Sequence, residues 1–201
     1  MSRLGTTPSE RATNAAHALC EDPALAPVVE AHGPLTLEPA PDPFRRLVVS
    51  LVRQQLSMDA AEAIRERLFE AVEITPSGVL EAEPETLQET GLSAAKTEYV
   101  RNVATAFRER RYDRESFAQL SDREVIEELS SIRGVGPWTA KMFLVFALAR
   151  PDVFPVEDLG VRRAMETLYG DASHTEMTDR AENWRPYRSY AALYLWRAHE
   201  G

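Results

Sequence analysis

Only one cysteine, Cys20, occurs in 201 residues. A single thiol builds neither a disulfide framework nor a cysteine-ligated zinc or iron–sulfur centre, so those classes are excluded. Histidine is nearly as sparse: His17, His32, His174 and His199 are scattered, and no two stand at metal-ligand spacing. Lysine is the scarcest charged residue, with Lys96 and Lys141 the only two among 23 basic side chains. Long apolar runs are missing too. The longest, Met142 to Ala149, is far short of the roughly 20 residues that span a bilayer. The first 23 residues lack the apolar stretch of a secretory signal, so no membrane partner and a cytoplasmic protein are expected.

What is abundant is acid. The net charge of −9 speaks at first against a polyanionic partner, because phosphate binding usually brings a basic surface. The charge is segregated, however. Residues 58–91 hold nine acids against two arginines, whereas residues 44–56 hold three arginines and no acid, and residues 131–163 hold five basic residues against three acids. A nucleic-acid partner therefore stays open. The length fits one compact unit or two small lobes sharing a core.

Almost every segment carries a helical period. Phe44, Leu47, Val48, Leu51 and Val52 form one apolar stripe with arginines off it. Ala61, Ile64, Leu68 and Val72 repeat the pattern behind Ser57 as N-cap, and Tyr99, Val100, Val103, Ala104 and Phe107 mark a helix opened by Ser93. SDREVIEELSS (121–131) starts with a cap and acids in its first turn, and a last helix is expected from about Pro186 to His199. LTLEP (35–39) is the one candidate extended piece, and proline-rich breaks fall near 34–43, 76–84 and 151–155. The fold class is all-α.

The stretch IRGVGPWTA (132–140) ends one helix near Ile132 and starts another at Pro137, with Gly134 and Gly136 both able to take positive φ. A glycine hairpin of this kind leaves backbone N–H groups at the second helix's start, where they and the helix dipole make an anion site. Such a site needs no side-chain charge, so an acidic protein can hold a phosphate there. By itself the turn reads more readily as an ordinary corner between two helices.

The continuation, LSSIRGVGPWTAKMFLVFALARPDVFPVEDLG (129–160), resembles the helix-hairpin-helix motif and following Gly/Pro-rich loop with aspartate of the helix-hairpin-helix (HhH-GPD) DNA glycosylase superfamily. Within it the chain is most similar to the alkylation-repair branch, the 3-methyladenine DNA glycosylase II type. PFRRLVVSLVRQQLSMDAAEAI (43–64) resembles the family's helix–loop–helix, whose loop probes the minor groove. ENWRPYRSYAALYLW (182–196) resembles its C-terminal helix, which brings an aromatic residue to the base pocket, and GLSAAKTEYVRNVA (91–104) fits a family helix pair. The resemblance covers roughly residues 40–200. It implies two helical lobes flanking an active-site cleft: a central lobe over 44–148 ending in the hairpin (about 129–148), and a second lobe from 1–43 plus 151–201, together a single compact unit over 1–201.

The resemblance also distributes roles. Asp158, on the loop after the buried second helix, matches the catalytic aspartate. Trp138 and Trp196 fall at aromatic pocket positions, and Met142, with Phe143, lies one turn into the helix that would line the pocket. Gly134, Val135, Gly136 and Thr139 of the hairpin, and Gln54, Gln55, Leu56 and Ser57 of the QQLS loop, are the expected DNA contacts. Gln55 stands at the wedge position that fills the gap left by a flipped base. The carbonyls of Ser130, Ile132 and Val135 match positions that hold a monovalent cation, Na+ or K+, outside the chemistry; no cofactor is required for the reaction itself. Trp138 stands where lyase-competent relatives carry lysine, so a monofunctional enzyme on alkylated double-stranded DNA, 3-methyladenine or 7-methylguanine type, acting as a monomer, is implied. The compact length matches members without an extra N-terminal β-rich domain.

Each residue has a plainer reading beside it. Asp158 is placed to be the N-cap of LGVRRAMETL, Asp152 to cap the PDVF turn, and Glu157 to sit beside Asp158 as a rival acid. Trp184 reads as core. Arg162, Arg163, Arg185 and Arg188 are either solvated charges or phosphate contacts. The alternative for the whole chain is a helix-hairpin-helix DNA-binding protein without catalysis.

Overall fold

The computed structural model describes residues 9–200, and no strand occurs among them. The first eight residues, part of the N-terminal stretch read above for a signal sequence, lie outside the described residues. In chain order the helices are α1 (Glu10–Leu19), α2 (Ala26–His32), α3 (Pro43–Arg53), α4 (Met58–Ala71), α5 (Pro76–Glu81), α6 (Pro84–Glu89), α7 (Ala94–Arg110), α8 (Arg114–Ala118), α9 (Asp122–Ser130), α10 (Pro137–Phe146), α11 (Leu159–Tyr169), α12 (His174–Ala181) and α13 (Arg188–Glu200).

Their starts follow capping chemistry closely. Ser57, Ser93, Ser121 and Asp158 each have extended backbone and accept an amide from the first turn of α4, α7, α9 and α11. Ser121 and Glu124 close a full capping box. Residues 76–84 differ from the sequence expectation of a break. Pro76 and Pro84 occupy the first turns of α5 and α6, where a missing N–H costs nothing. LTLEP is not a strand: the Tyr194 hydroxyl takes the Leu35 amide at 3.3 Å and donates to the Gly33 carbonyl at 2.8 Å, which uses the backbone a strand would need. The last helix begins at Arg188, two residues later than expected.

The chain divides into two compact units. In Pro39–Ala149, α10 packs on α3 and α9, and α3 on α4 and α7. The α3 stripe is fully used: Leu47, Val48, Leu51 and Val52 are 0% exposed. Phe44, Phe107, Tyr112, Phe117 and Phe143 build an aromatic cluster of mostly edge-on contacts that closes the core under α10. The other unit, Met1–Glu38 with Arg150–Gly201, centres on α13, which packs on α1, α2 and α11. Tyr190, Ala191, Tyr194 and Leu195 fill its core. Trp184 is core, as its sequence context implied, and its indole N–H donates to Asp22 Oδ2 at 2.9 Å.

Candidate active site

Asp158 precedes α11 as its N-cap, and its Oδ1 accepts the Val161 amide at 3.0 Å. The same oxygen accepts the Trp196 indole Nε1–H at 2.8 Å. Two donors from different helices therefore fix the rotation of one half-buried carboxylate, a degree of order that a cap alone does not need. Gly160 leaves room for the approach. A Cβ there would stand 3.2 Å from Asp158 Oδ1 and 3.2 Å from Trp196 Cδ1, tighter than ordinary contact. The sequence pattern placed Trp196 at an aromatic pocket position; in the structure its indole N–H donates to the Asp158 carboxylate. Glu157 is exposed.

The hairpin joins α9 to α10. Gly134 has φ +102°, and a Cβ there would fall 2.2 Å from the Tyr99 ring. Gly136 differs from the expectation. Its φ is −95°, so it needs no positive φ, and nothing lies within 4 Å of the space a Cβ would fill. It is the N-cap of α10, and no side chain caps that terminus. The arrangement leaves room for an anion to approach backbone amides. Thr139, expected at the DNA contact, is 1% exposed, and its Oγ1 accepts Gln54 Nε2–H at 2.8 Å inside the protein.

The QQLS loop is tied to the hairpin by that glutamine, which also donates to the Gly134 carbonyl at 3.1 Å. Gln55, in the left-handed region at φ +58°, and Ser57, the α4 cap, are exposed. Leu56 is 39% exposed and Met58 59%, so the loop displays apolar side chains beside the polar Gln55 assigned to the wedge. Val135 and Met142 are buried at 4% and 5% exposure, and Trp138 is half-buried.

Several expected charge contacts go elsewhere. Arg188 binds Asp152 through Nε at 2.7 Å and Glu182 through Nη1 at 2.5 Å, and Arg185 bridges the same two acids. These arginines close a local ion network, and Asp152 anchors the start of α13 instead of capping the PDVF turn. Arg162 contacts His174 Nε2 at 3.0 Å. In the basic stretch, Arg45 and Arg46 lie over the rings of Phe69 and Phe146, at 4.3 and 4.6 Å. Burial, with Arg53 nearby, lowers the Arg46 pKa to about 10. No helix of the described residues is long and apolar enough to cross a membrane.

The chain thus carries a glycine hairpin opening α10 and, on the loop after that helix, an aspartate held by two donors. The family model for HhH-GPD superfamily base excision DNA repair proteins matches residues 48–188, and the chain belongs to that superfamily. It is 31% identical to the alkylbase DNA glycosidase-like protein mag2 of Schizosaccharomyces pombe, over 85% of each chain. It is 32% identical to a Saccharomyces cerevisiae DNA-3-methyladenine glycosylase, over 90% of this chain and 77% of that one. The first curated relatives are spanned over 66% to 85% of their length. Among solved structures, the S. pombe 3-methyladenine DNA glycosylase Mag1 in complex with abasic DNA superposes with a TM-score of 0.84 at 29% identity, covering 92% of this chain and 96% of that one.

Two features of this arrangement were not read from the sequence: the space at Gly160 and Trp196 as a donor to Asp158.

Proposed function

We propose that this protein is a monofunctional DNA glycosylase that excises alkylated purines, of the 3-methyladenine and 7-methylguanine type, from duplex DNA. The observation that carries the reading is the Asp158 carboxylate, held by the Val161 amide and the Trp196 indole. Cleaving an N-glycosidic bond develops oxocarbenium character in the sugar, and a fixed carboxylate stabilises that charge while water attacks the anomeric carbon. A carboxylate already oriented before substrate arrives undergoes little reorganisation at the moment of reaction.

Methylation at N3 or N7 makes the purine cationic and a good leaving group, so no strong general acid is required. Aromatic faces such as those of Trp138 and Trp196 would favour the cationic base by roughly 0.5–2 kcal/mol per contact. The target base must leave the stack at a cost of a few kcal/mol, which damage lowers. The exposed QQLS loop is the segment assigned to the resulting gap, and the hairpin amides to the backbone phosphates. Trp138 occupies the position at which lyase-competent relatives carry an amine, which supports hydrolysis without a Schiff base.

A monovalent cation fits the hairpin in this reading. The carbonyls of Ser130, Ile132 and Val135 are hard neutral donors, and the Ser130 hydroxyl is buried without a hydrogen-bond partner. These residues would hold the ion, which would supply positive charge to attract a backbone phosphate and no chemistry to the cleavage.

The test is release of free base from methylated duplex DNA, followed by alkali. Free methylpurines with strand breaks only after alkali are expected. Breaks without alkali would mean lyase activity. Binding without release from methylated, etheno or deaminated duplexes would mean a DNA-binding protein.

A further inference from the structure

Helix α7 touches both elements assigned to DNA. Lys96 Nζ donates to the Val52 carbonyl at 2.7 Å and to the Gln54 carbonyl at 2.7 Å. Three residues on, the Tyr99 ring covers the face of Gly134 that a side chain would need. One turn further, Asn102 Nδ2 donates to the Arg133 carbonyl at 3.3 Å, and Glu98 pairs with Arg133 at 2.6 Å. The two loops are also joined directly, by the Gln54 amide on Gly134 and Thr139.

The Lys96 seat is chemically specific. Val52 belongs to the last turn of α3, whose carbonyls have no intrahelical donor. Gln54 is the next residue but one, and its carbonyl immediately precedes Gln55, the residue at φ +58°. Left-handed backbone at a non-glycine residue is held only by surroundings that over-determine it. A compact ammonium with three donors can serve two carbonyls at once, whereas a planar guanidinium presents its donors in a rigid fork. Both acceptors are neutral, and burial lowers the Lys96 pKa from its usual value, so the charge is kept at some cost in solvation.

We infer that Lys96 is a positioning residue, whose ammonium fixes the backbone of the 54–57 loop and so sets how Gln55 and Leu56 are presented to DNA, with α7 bracing loop and hairpin as one element. The inference rests on the proposed glycosylase function, because it assigns Lys96 to the same reaction. A lysine that only capped α3 would contribute to stability and to every DNA-dependent property alike.

The experiment uses the full chain and Lys96→Met, which keeps the side chain's length and removes charge and donors. In the free protein, hydrogen–deuterium exchange over residues 52–58 should quicken about tenfold, with α9 and α10 unchanged. Single-turnover excision from methylated duplex should slow about tenfold, while affinity for undamaged duplex stays within about twofold. If Lys96→Met lacks a cooperative unfolding transition, Lys96→Gln, which keeps a donor without the charge, is read on the same assays. Unchanged exchange with unchanged excision would overturn the inference, as would equal losses of excision and undamaged-duplex affinity. If wild-type protein releases no base, the glycosylase reading fails, and the exchange contrast alone decides on Lys96.

Discussion

Asp158 caps α11, and in the proposed reading its carboxylate also serves the chemistry; substitution can separate the two. Asparagine caps a helix about as well as aspartate, so Asp158→Asn should keep the Tm within ~2 °C of wild type while base excision falls by at least ~100-fold. Asp158→Ala should lose excision equally and also about 1 kcal/mol of stability, because the cap goes with the charge. Base release beside thermal denaturation reads both, and an active Asp158→Asn would remove the carboxylate from the mechanism. Trp196→Phe keeps an aromatic face and deletes the donor to Oδ1. Excision should drop about tenfold with affinity for lesion duplex within about twofold; loss of affinity instead would assign Trp196 to stacking on the base. At this scale the sequence was half legible. An acid directly before a helical pattern announces a cap, and the family motif announces chemistry, so Asp158 could be singled out twice. The Trp196 bond could not be read, because its partners are 38 positions apart and meet only once α13 packs on α11.

Among elements, the hairpin shows what spacing reveals and what it hides. GVG marked a turn, and the turn is there, but composition says nothing about which glycine carries the unusual dihedral. Only Gly134 does, and the Tyr99 ring lies where its side chain would be. Gly134→Ala should therefore cost about 2–4 kcal/mol, through strain and overpacking together. Gly136→Ala meets open space at an ordinary φ, where the gain in chain entropy opposes the loss of a residue better suited than alanine to an N-cap, and should change stability by no more than ~1 kcal/mol. If Gly136 is glycine so that a phosphate can approach the amides, its alanine variant should still weaken duplex binding. Urea denaturation of both variants, with a duplex titration of the second, checks the pair. The apolar stripe of α3 was read in full, because a 3.6-residue period survives any arrangement of neighbours. The prolines at 76 and 84 were misread as breaks, since proline both ends helices and begins them and only the following residues' backbone decides.

For the molecule as a whole, acidity is the constraint on any DNA-bound state. The net charge is −5 over Met1–Glu38 with Arg150–Gly201 and −4 over Pro39–Ala149, so neither unit is a basic body with an acidic appendage. The sequence pointed to basic stretches, yet Arg45 and Arg46 stack on rings, and Arg185 and Arg188 are committed to Asp152 and Glu182. Charge segregation along a chain thus overstated the cations available to phosphate, because pairing is a tertiary property. In the proposed reading part of the hold on the backbone is neutral: hairpin amides, the α10 terminus and one bound monovalent ion. Neutral donors displace few counterions, whereas each phosphate neutralised by Arg or Lys steepens log K against log salt by about 0.9. A plot for duplex binding between 0.05 and 0.2 M salt should accordingly have a slope shallower than about −4. A slope of about −7 or steeper would show surface arginines doing the holding and would demote the hairpin to a structural corner. The shallow slope would also explain how so acidic a protein engages a polyanion: local dipoles attract at short range, while repulsion from the rest of a net charge of −9 is screened beyond the ~8–10 Å Debye length of physiological salt.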